Sequence, residues 1–264
     1  MKIGFIGCGN MGKAMLGGII KSGKVKNDDI MASAKSQNTI DKIKREFNVK
    51  TTLNNREVVV ESNIIILAVK PYLYNSVIDE IKDIMDESKI IITIAAGITI
   101  DGVIKRFGKK IKVIKTMPNT PALVCEGMTA ICHNENVTIE EKNSVIDLFK
   151  AFGKVEELEE KDFYAFTALC GSSPAYVFMF VEAMADAAVK QGIPRKKAYS
   201  LAAQAVLGSA KMILETEKHP GELKDAVCSP GGTTIEAVLE LEKSGFRSSV
   251  INAMNKCEEK AKKM

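Results

Sequence analysis

Histidine is almost absent from this chain, and the scarcity argues against a metal centre. His133 and His219 are the only two histidines among 264 residues, and neither lies at a metal-ligand spacing from Glu or Cys. The six cysteines form no C-x-x-C pair. We therefore expect no metal site, and we interpret the cysteines as reduced, mostly buried thiols of a cytoplasmic protein.

A strong charge of one sign is also lacking. The net charge is only +4, and lysines and arginines alternate with acids without a basic block or interleaved aromatic residues. This distribution argues against nucleic-acid binding. The N-terminal apolar run is too short and too interrupted by glycine for a secretory signal, so we expect no export.

Long apolar runs are equally scarce, with one exception at residues 163–181. This uncharged stretch approaches the length of a membrane span. However, Gly171, Pro174 and three hydroxyl residues lie near its middle, where hydrocarbon would leave backbone groups unsatisfied. We predict no membrane span. A helix buried in the interface of a homo-oligomer explains the run, with a small helical domain as the alternative.

What is present in residues 1–160 is an alternation of strand and helix patterns. Such βαβα alternation predicts an α/β fold with a Rossmann-type parallel sheet, whose strands end at one common edge. The predicted strands are 2–6, 29–32, 64–69, 90–94 and 112–117, and the predicted helices are 11–22, 77–85 and 100–107.

Strand patterns end after about residue 160. Four helices are predicted beyond it, at 163–191, 195–217, 233–243 and 246–262, separated by glycine and proline. We therefore divide the chain into a dinucleotide-binding domain, residues 1–160, and an all-helical substrate and oligomerisation domain, residues 161–264.

A glycine motif, Gly7-Cys8-Gly9-Asn10-Met11-Gly12, follows the first strand and opens the first helix. In this context G-x-G-x-x-G predicts dinucleotide binding. Gly7 permits the turn, Gly9 lets the backbone approach the pyrophosphate, and Gly12 lets the helix pack closely on the strand. We expect Asn10 and Met11 to contact the cofactor from the start of the helix.

The end of the second predicted strand distinguishes NADP from NAD. NAD sites place an acid there for the ribose 2′-hydroxyl. This chain has Ser33, Lys35 and Ser36 and no acid, which suits a 2′-phosphate. We predict NADPH as cofactor, with NADH possible. The alternative is an ordinary solvated loop.

Three further strand ends lie on the same predicted edge. We expect cofactor contacts from Ala68-Val69-Lys70-Pro71, from Ala95 and Gly97, and from Asn119 within Met117-Pro118-Asn119-Thr120-Pro121. The alternative interpretation of Lys70 is an ordinary surface lysine. The alternative interpretation of the segment with two prolines is a rigid structural turn.

A second cluster, Ser229-Pro230-Gly231-Gly232-Thr233-Thr234, precedes a predicted helix. Its backbone N–H groups, its hydroxyls and the helix dipole suit a carboxylate without any arginine. The alternative is a helix cap with no further role.

With these motifs, the chain resembles the pyrroline-5-carboxylate reductase family over essentially its whole length. Two segments complete the match, Gly171-Ser172-Ser173-Pro174-Ala175-Tyr176 and residues 223–234. The glycine motif is shared by many oxidoreductases, whereas the segment 223–234 is specific to this family. Ser173 departs from the family, which commonly has glycine there, and the added hydroxymethyl affects packing at a helix bend.

The resemblance implies reduction of 1-pyrroline-5-carboxylate to L-proline with NAD(P)H, the last step of proline synthesis. It implies helical C-terminal domains that interlock into a homodimer, which often assembles into a decamer. It places the substrate carboxylate on Ser229, Gly231, Gly232, Thr233 and Thr234. Thr234 matches the threonine proposed to bond the ring nitrogen and is the predicted catalytic residue.

Two rival functions share this architecture. A hydroxy-acid dehydrogenase needs a His or Lys to handle the hydroxyl proton, and neither histidine lies near a predicted cofactor loop. A non-catalytic nucleotide sensor would leave the substrate cluster without a purpose, although fold alone does not fix function. Activity on cyclic imino acids of other ring sizes stays open, since it depends on pocket shape.

Overall fold

The computed structural model describes residues 1–263, which fall into two compact units. The first unit contains Met1–Ser172 and the residues from Cys257 onward, and the second contains Ser173–Lys256. The two units are described separately below.

The first unit is built on one eight-stranded sheet. The strands are β1 (Ile3–Ile6), β2 (Ile30–Ser33), β3 (Lys50–Thr52), β4 (Ile64–Leu67), β5 (Ile90–Thr93), β6 (Lys112–Met117), β7 (Gly127–His133) and β8 (Gly153–Glu157). Their spatial order is β3-β2-β1-β4-β5-β6-β7-β8. Strands β1 to β6 are mutually parallel, β7 is antiparallel to β6, and β8 is parallel to β7. The predicted Rossmann-type sheet is therefore confirmed, with two reversed strands added at one side.

Helices connect these strands. They are α1 (Asn10–Ser22), α2 (Gln37–Phe47), α3 (Asn55–Glu61), α4 (Tyr74–Ile81), α5 (Ile100–Phe107), α6 (Ile139–Phe149) and the short α7 (Phe163–Phe166). The helix predicted at residues 77–85 begins three residues earlier, at Tyr74, and ends at Ile81. A π-helical turn, Thr167–Gly171, follows α7 and divides the helix predicted over residues 163–191.

The central strands are buried on both faces. Along β1, Ile3 and Phe5 face one hydrophobic cluster while Ile6 faces the other. Ile64 and Ile65 of β4 divide in the same way. This division explains why these strands read as continuous apolar runs in the sequence, since a parallel sheet is covered by helices on both sides.

The reversed strands meet at a pair of glycines. Gly127 of β7 pairs with Gly153 of β8, and a Cβ built on Gly153 would lie 2.0 Å from the Gly127 carbonyl oxygen. No side chain fits between the two backbones at that point. The glycine pair thus fixes the register where β8 joins the sheet.

The second unit is entirely helical. It contains α8 (Ser173–Lys190), α9 (Arg195–Thr216), α10 (Pro220–Val227), α11 (Thr233–Lys243) and most of α12 (Phe246–Ala261). Helix α10 was not predicted, because Pro220 and Gly221 looked like a break in the sequence. Proline is tolerated in the first turn of a helix, and His219 caps this one by accepting a hydrogen bond from the Gly221 N–H at 3.0 Å.

Large apolar side chains of the second unit are exposed within a single chain. Phe178 and Met179 of α8 are 67% and 69% exposed, and Leu214 of α9 is 64% exposed. By length and composition, one helical stretch, Glu160–Lys190, is apolar enough to cross a membrane. Core helices of soluble proteins pass the same test. The helical unit therefore has a large exposed apolar surface, of the kind that marks an interaction site.

Candidate active site

The three glycines of the glycine turn differ in the space around them. Gly7 has φ +82°, and a Cβ there would lie 2.6 Å from Val69 Cγ1. A Cβ on Gly12 would lie 3.2 Å from the Ala68 Cβ. A Cβ on Gly9 would meet nothing within 4 Å. Gly7 is thus required by the fold and Gly12 has little room for a side chain, whereas Gly9 borders open space that a ligand can fill.

The start of α1 presents donors to that space. Gly9 is the N-cap, no side chain caps the helix, and its first turn contains no acidic residue. Asn10 is exposed and Met11 is half-buried. Free N–H groups and the positive end of the helix dipole suit a diphosphate. The residues present therefore fit a dinucleotide.

In the segment after β2, the structure corrects the predicted role of Ser33 and leaves Lys35 and Ser36 exposed. β2 extends one residue further than predicted, so Ser33 is its last residue and is fully buried. The Ser33 hydroxyl donates to Asn55 Oδ1 at 2.7 Å, so it is not available to a 2′-phosphate. Lys35 and Ser36 are exposed, and Ser36 caps α2, whose first turn contains no acid. The anion-binding potential here therefore lies with Lys35, Ser36 and the start of α2.

The segment after β4 lies against the glycine turn. Ala68 and Val69 are the residues that Gly7 and Gly12 approach, and the Ala68 N–H donates to the Ile6 carbonyl at 2.8 Å. Lys70 is exposed, and Pro71 begins a short 3-10 turn. The structure therefore brings together two segments that the sequence assigned to one site, although they are separated by about sixty residues.

Tyr74, which the sequence reasoning missed, links the ends of β4 and β5. Its hydroxyl donates to the Leu67 carbonyl at 2.7 Å and accepts from Thr93 Oγ1 at 2.9 Å. Burial raises the pKa of Tyr74 to about 12, so the hydroxyl keeps its proton at neutral pH. Beyond Thr93, Ala95 is buried and Gly97 is exposed with φ +76°.

The side-chain amide of Asn119 is hydrogen-bonded within the protein. This corrects the prediction that it points towards the cofactor. Its Nδ2 donates to the Cys170 carbonyl at 3.0 Å, and its Oδ1 accepts from the Met128 N–H at 2.9 Å. Cys170 lies in the π-helical turn, four residues before Pro174, which has no N–H to offer that carbonyl. Asn119 thus satisfies a helix carbonyl that proline leaves without its usual partner.

Asn119→Leu is therefore expected to lower the free energy of unfolding by about 1 to 2 kcal/mol, because two partly buried backbone groups lose their partner. Urea denaturation at one fixed protein concentration measures the change. Asn119→Asp is the comparison variant: it keeps the acceptor for Met128, but it replaces the donor to Cys170 with an oxygen and adds a charge, so it should also be destabilised. Unchanged stability of Asn119→Leu would show that these two bonds contribute nothing.

The predicted substrate cluster forms a tight turn before α11. The Gly232 N–H donates to the Ser229 carbonyl at 3.0 Å, with Pro230 and Gly231 (φ +66°) at the central positions. Gly232 is the N-cap of α11 and no side chain caps that helix. Within residues 1–263, the hydroxyls of Ser229, Thr233 and Thr234 have no hydrogen-bond partner. The turn therefore offers hydroxyl and backbone donors to an anion.

Each histidine has a local contact within its own unit. The His133 Nδ1 lies 2.9 Å from the Asn134 carbonyl, and its Nε2 lies 3.7 Å from a Glu157 oxygen. His219 caps α10. In the described part of the chain, no group of three His, Cys, Asp or Glu side chains is arranged to hold a metal ion.

A glycine turn on a parallel sheet, joined to a helical second unit, defines the chain as a Rossmann-type NAD(P)H-dependent oxidoreductase. A family model described as "NADP oxidoreductase coenzyme F420-dependent" matches residues 2–97, and one described as "Pyrroline-5-carboxylate reductase dimerisation" matches residues 160–264. The pyrroline-5-carboxylate reductase of Escherichia coli (strain K12) is 50% identical over 263 residues, covering 100% of this chain and 98% of that protein. The chain belongs to the pyrroline-5-carboxylate reductase family.

Two further comparisons agree with this membership. The pyrroline-5-carboxylate reductase of Methanosarcina acetivorans is 41% identical, covering 100% of this chain and 97% of that protein. The crystal structure of Plasmodium falciparum pyrroline carboxylate reductase with NADP bound superposes with a TM-score of 0.91 at 35% identity, covering 99% of this chain and 97% of that one. The similarity therefore extends over both units.

Proposed function

We propose that this chain reduces 1-pyrroline-5-carboxylate to L-proline, the final step of proline synthesis, with NADPH as hydride donor. The observation that carries the proposal is the turn Ser229–Gly232, which presents unpartnered hydroxyl and backbone donors at the start of α11. A chain with a dinucleotide turn and a separate carboxylate cradle suits an anionic substrate that accepts a hydride.

The chemistry needs orientation more than proton transfer. Bound NADPH supplies the hydride. The substrate is a cyclic imine, and once its nitrogen is protonated the hydride adds to the C=N carbon while the π-electron pair moves to nitrogen. We propose that Ser229, Gly231, Gly232 and Thr233 hold the carboxylate and that the Thr234 hydroxyl bonds the ring nitrogen. Fixing the ring in this way supplies most of the rate advantage.

The cofactor contacts that we propose come from the glycine turn and the neighbouring loops. Lys35 and Ser36 bind the 2′-phosphate, because both are exposed at the acid-free start of α2. NADH, which lacks this phosphate, is the weaker donor. The full set is Gly7, Gly9, Asn10, Met11, Gly12, Lys35, Ser36, Ala68, Val69, Lys70, Pro71, Ala95 and Gly97.

The test is a spectrophotometric assay of reduced-nicotinamide absorbance with synthetic 1-pyrroline-5-carboxylate. We expect turnover with NADPH, slower turnover with NADH, and proline as the product by chromatography. A six-membered cyclic imino acid tests the tolerance for ring size. Absence of NADPH oxidation with the five-membered substrate would refute the proposed function, and equal turnover with NADH would refute the role of Lys35 and Ser36.

We also propose that the helical domain, residues 161–264, joins copies of this chain into a homodimer that assembles further to a decamer. The support is the exposed apolar surface of α8 and α9, which a partner helix would cover without a membrane. The protein acts in the cytoplasm, without nucleic acid.

Light scattering without detergent is expected to give a mass of at least two chains, each 28.8 kDa. The mass should stay constant over a wide range of concentration, since an apolar interface of this kind is obligate. Phe178→Lys should lower it, because it places a charge on the exposed apolar surface, whereas Lys161→Ala, at an exposed site before α7, should not. A monomer at every concentration would contradict the proposal.

A further inference from the structure

Three buried hydroxyls join the ends of three neighbouring strands. The Thr116 hydroxyl of β6 donates to the Thr93 carbonyl of β5 at 3.1 Å. The Thr93 hydroxyl donates to the Tyr74 hydroxyl, which donates in turn to the Leu67 carbonyl of β4. Thr93 and Thr116 are fully buried and Tyr74 is 2% exposed. We name Thr116, Thr93 and Tyr74 the hydroxyl chain.

The hydroxyl chain also closes the loop after β4. Leu67 ends β4 and Tyr74 begins α4, so their hydrogen bond joins the two ends of residues 68–73. The Ile94 N–H contacts the same hydroxyl at 3.4 Å, at the start of the loop after β5. One phenol thus holds the bases of the two loops that follow β4 and β5, at the same edge of the parallel sheet as the glycine turn after β1.

The Tyr74 end of the hydroxyl chain lies among apolar side chains. Tyr74 belongs to the cluster formed with Leu67, Ile78 and Ile91, and phenylalanine has almost the same shape. Packing alone would not need the hydroxyl. A buried hydroxyl is unfavourable unless it has hydrogen-bond partners. Among the described residues, no buried side-chain nitrogen or oxygen lacks a partner.

We propose that the hydroxyl chain positions the cofactor, by fixing the spacing of the loops 68–71 and 95–97 against the glycine turn. Tyr74, Thr93 and Thr116 are positioning residues, which act through the loop backbone and do not touch the cofactor. This inference rests on the proposed use of NADPH, although its test requires no substrate.

The test compares Thr93→Val with Thr93→Ser by isothermal titration with NADP⁺. Valine keeps the shape of threonine and loses the hydroxyl, whereas serine keeps the hydroxyl and loses a methyl group. We expect Thr93→Val to weaken NADP⁺ binding about tenfold, the equivalent of one net hydrogen bond, and Thr93→Ser to bind within about twofold of wild type. Thermal unfolding without ligand should show both variants destabilised.

Two further variants separate positioning from stability. Tyr74→Phe should weaken NADP⁺ binding by at least as much as Thr93→Val, since it breaks the links to both β4 and β5. Ile81→Val, on the same helix and in the same core, should lower the melting temperature without changing the affinity. Affinity that follows melting temperature across all four variants, or that is unchanged in Thr93→Val and Tyr74→Phe, would overturn the inference.

Failure of the proposed function would look different. If wild-type protein binds NADP⁺ but reduces no cyclic imine, the proposed reaction is wrong, and the affinities of the Thr93 variants still decide the role of the hydroxyl chain. If wild-type protein binds no NADP⁺, the hydroxyl chain positions no cofactor and the inference is overturned as well.

Discussion

Gly9→Asp is expected to weaken NADP⁺ binding about 100-fold while the protein without ligand stays fully folded. Gly9 has an extended backbone, φ −72° and ψ −166°, which any residue adopts, and a Cβ there meets nothing within 4 Å. The new carboxylate would lie at the start of α1, where the diphosphate is proposed to bind. It would repel the phosphates and occupy the same N–H groups, and a 100-fold change corresponds to about 2.7 kcal/mol.

Gly9→Asp should weaken NADP⁺ binding without lowering the stability of the protein. Aspartate is a slightly better N-cap than glycine, so the free energy of unfolding without ligand should be unchanged or higher by a few tenths of a kcal/mol. Gly9→Asn is the matched control, with the same shape and capping ability but no charge, and it should weaken binding about tenfold. Titration calorimetry and thermal unfolding measure both quantities. Wild-type affinity in Gly9→Asp would show that the diphosphate does not bind beside Gly9.

Thr234→Ala is expected to lower kcat/KM for 1-pyrroline-5-carboxylate by 10- to 100-fold. In the proposed site its hydroxyl bonds the ring nitrogen, whose charge changes during hydride transfer, and a hydrogen bond to a charged group contributes about 1.5 to 3 kcal/mol. Thr234 is half-buried at the start of α11 and its hydroxyl has no partner within residues 1–263, so the loss should not destabilise the fold.

Two measurements test whether the loss of activity in Thr234→Ala comes from the missing hydroxyl. The NADP⁺ affinity of Thr234→Ala should equal that of wild type, because all of the proposed cofactor contacts lie in the first unit. Thr234→Ser should retain most of the activity, since it keeps the hydroxyl and removes only a methyl group. Unchanged kcat/KM in Thr234→Ala would remove Thr234 from the mechanism, and loss of activity in Thr234→Ser would indicate a packing role instead.

Much of the fold could be predicted because it depends on short-range patterns. The buried strands β1, β4, β5 and β6 are apolar runs, and the glycine motif sits between a strand and a helix, where its meaning is clearest. Strand β8 was missed because its residues, Gly-Lys-Val-Glu-Glu, are largely exposed and polar. Strand β7 lies in a stretch that gave no clear pattern, and its antiparallel pairing with β6 was not predicted.

Side-chain direction in the site was harder to predict than its location. Extending β2 by one residue moves Ser33 from a loop into the sheet, where alternate side chains face opposite sides, and its hydroxyl turns inward to Asn55. Asn119 and Tyr74 depend on contacts with Cys170 and Thr93, which are 51 and 19 residues away in the sequence. No local pattern encodes such partners.

The glycine turn contains a buried thiol, that of Cys8, whose reactivity can be measured. Cys8, between Gly7 and Gly9, is buried, and burial raises the pKa of its thiol to about 12. Only the thiolate reacts readily with alkylating reagents, so Cys8 is nearly inert while the turn is closed. We therefore expect slow labelling of Cys8 in the native protein, at a rate that reports exposure of its thiol with no substitution and no attached probe.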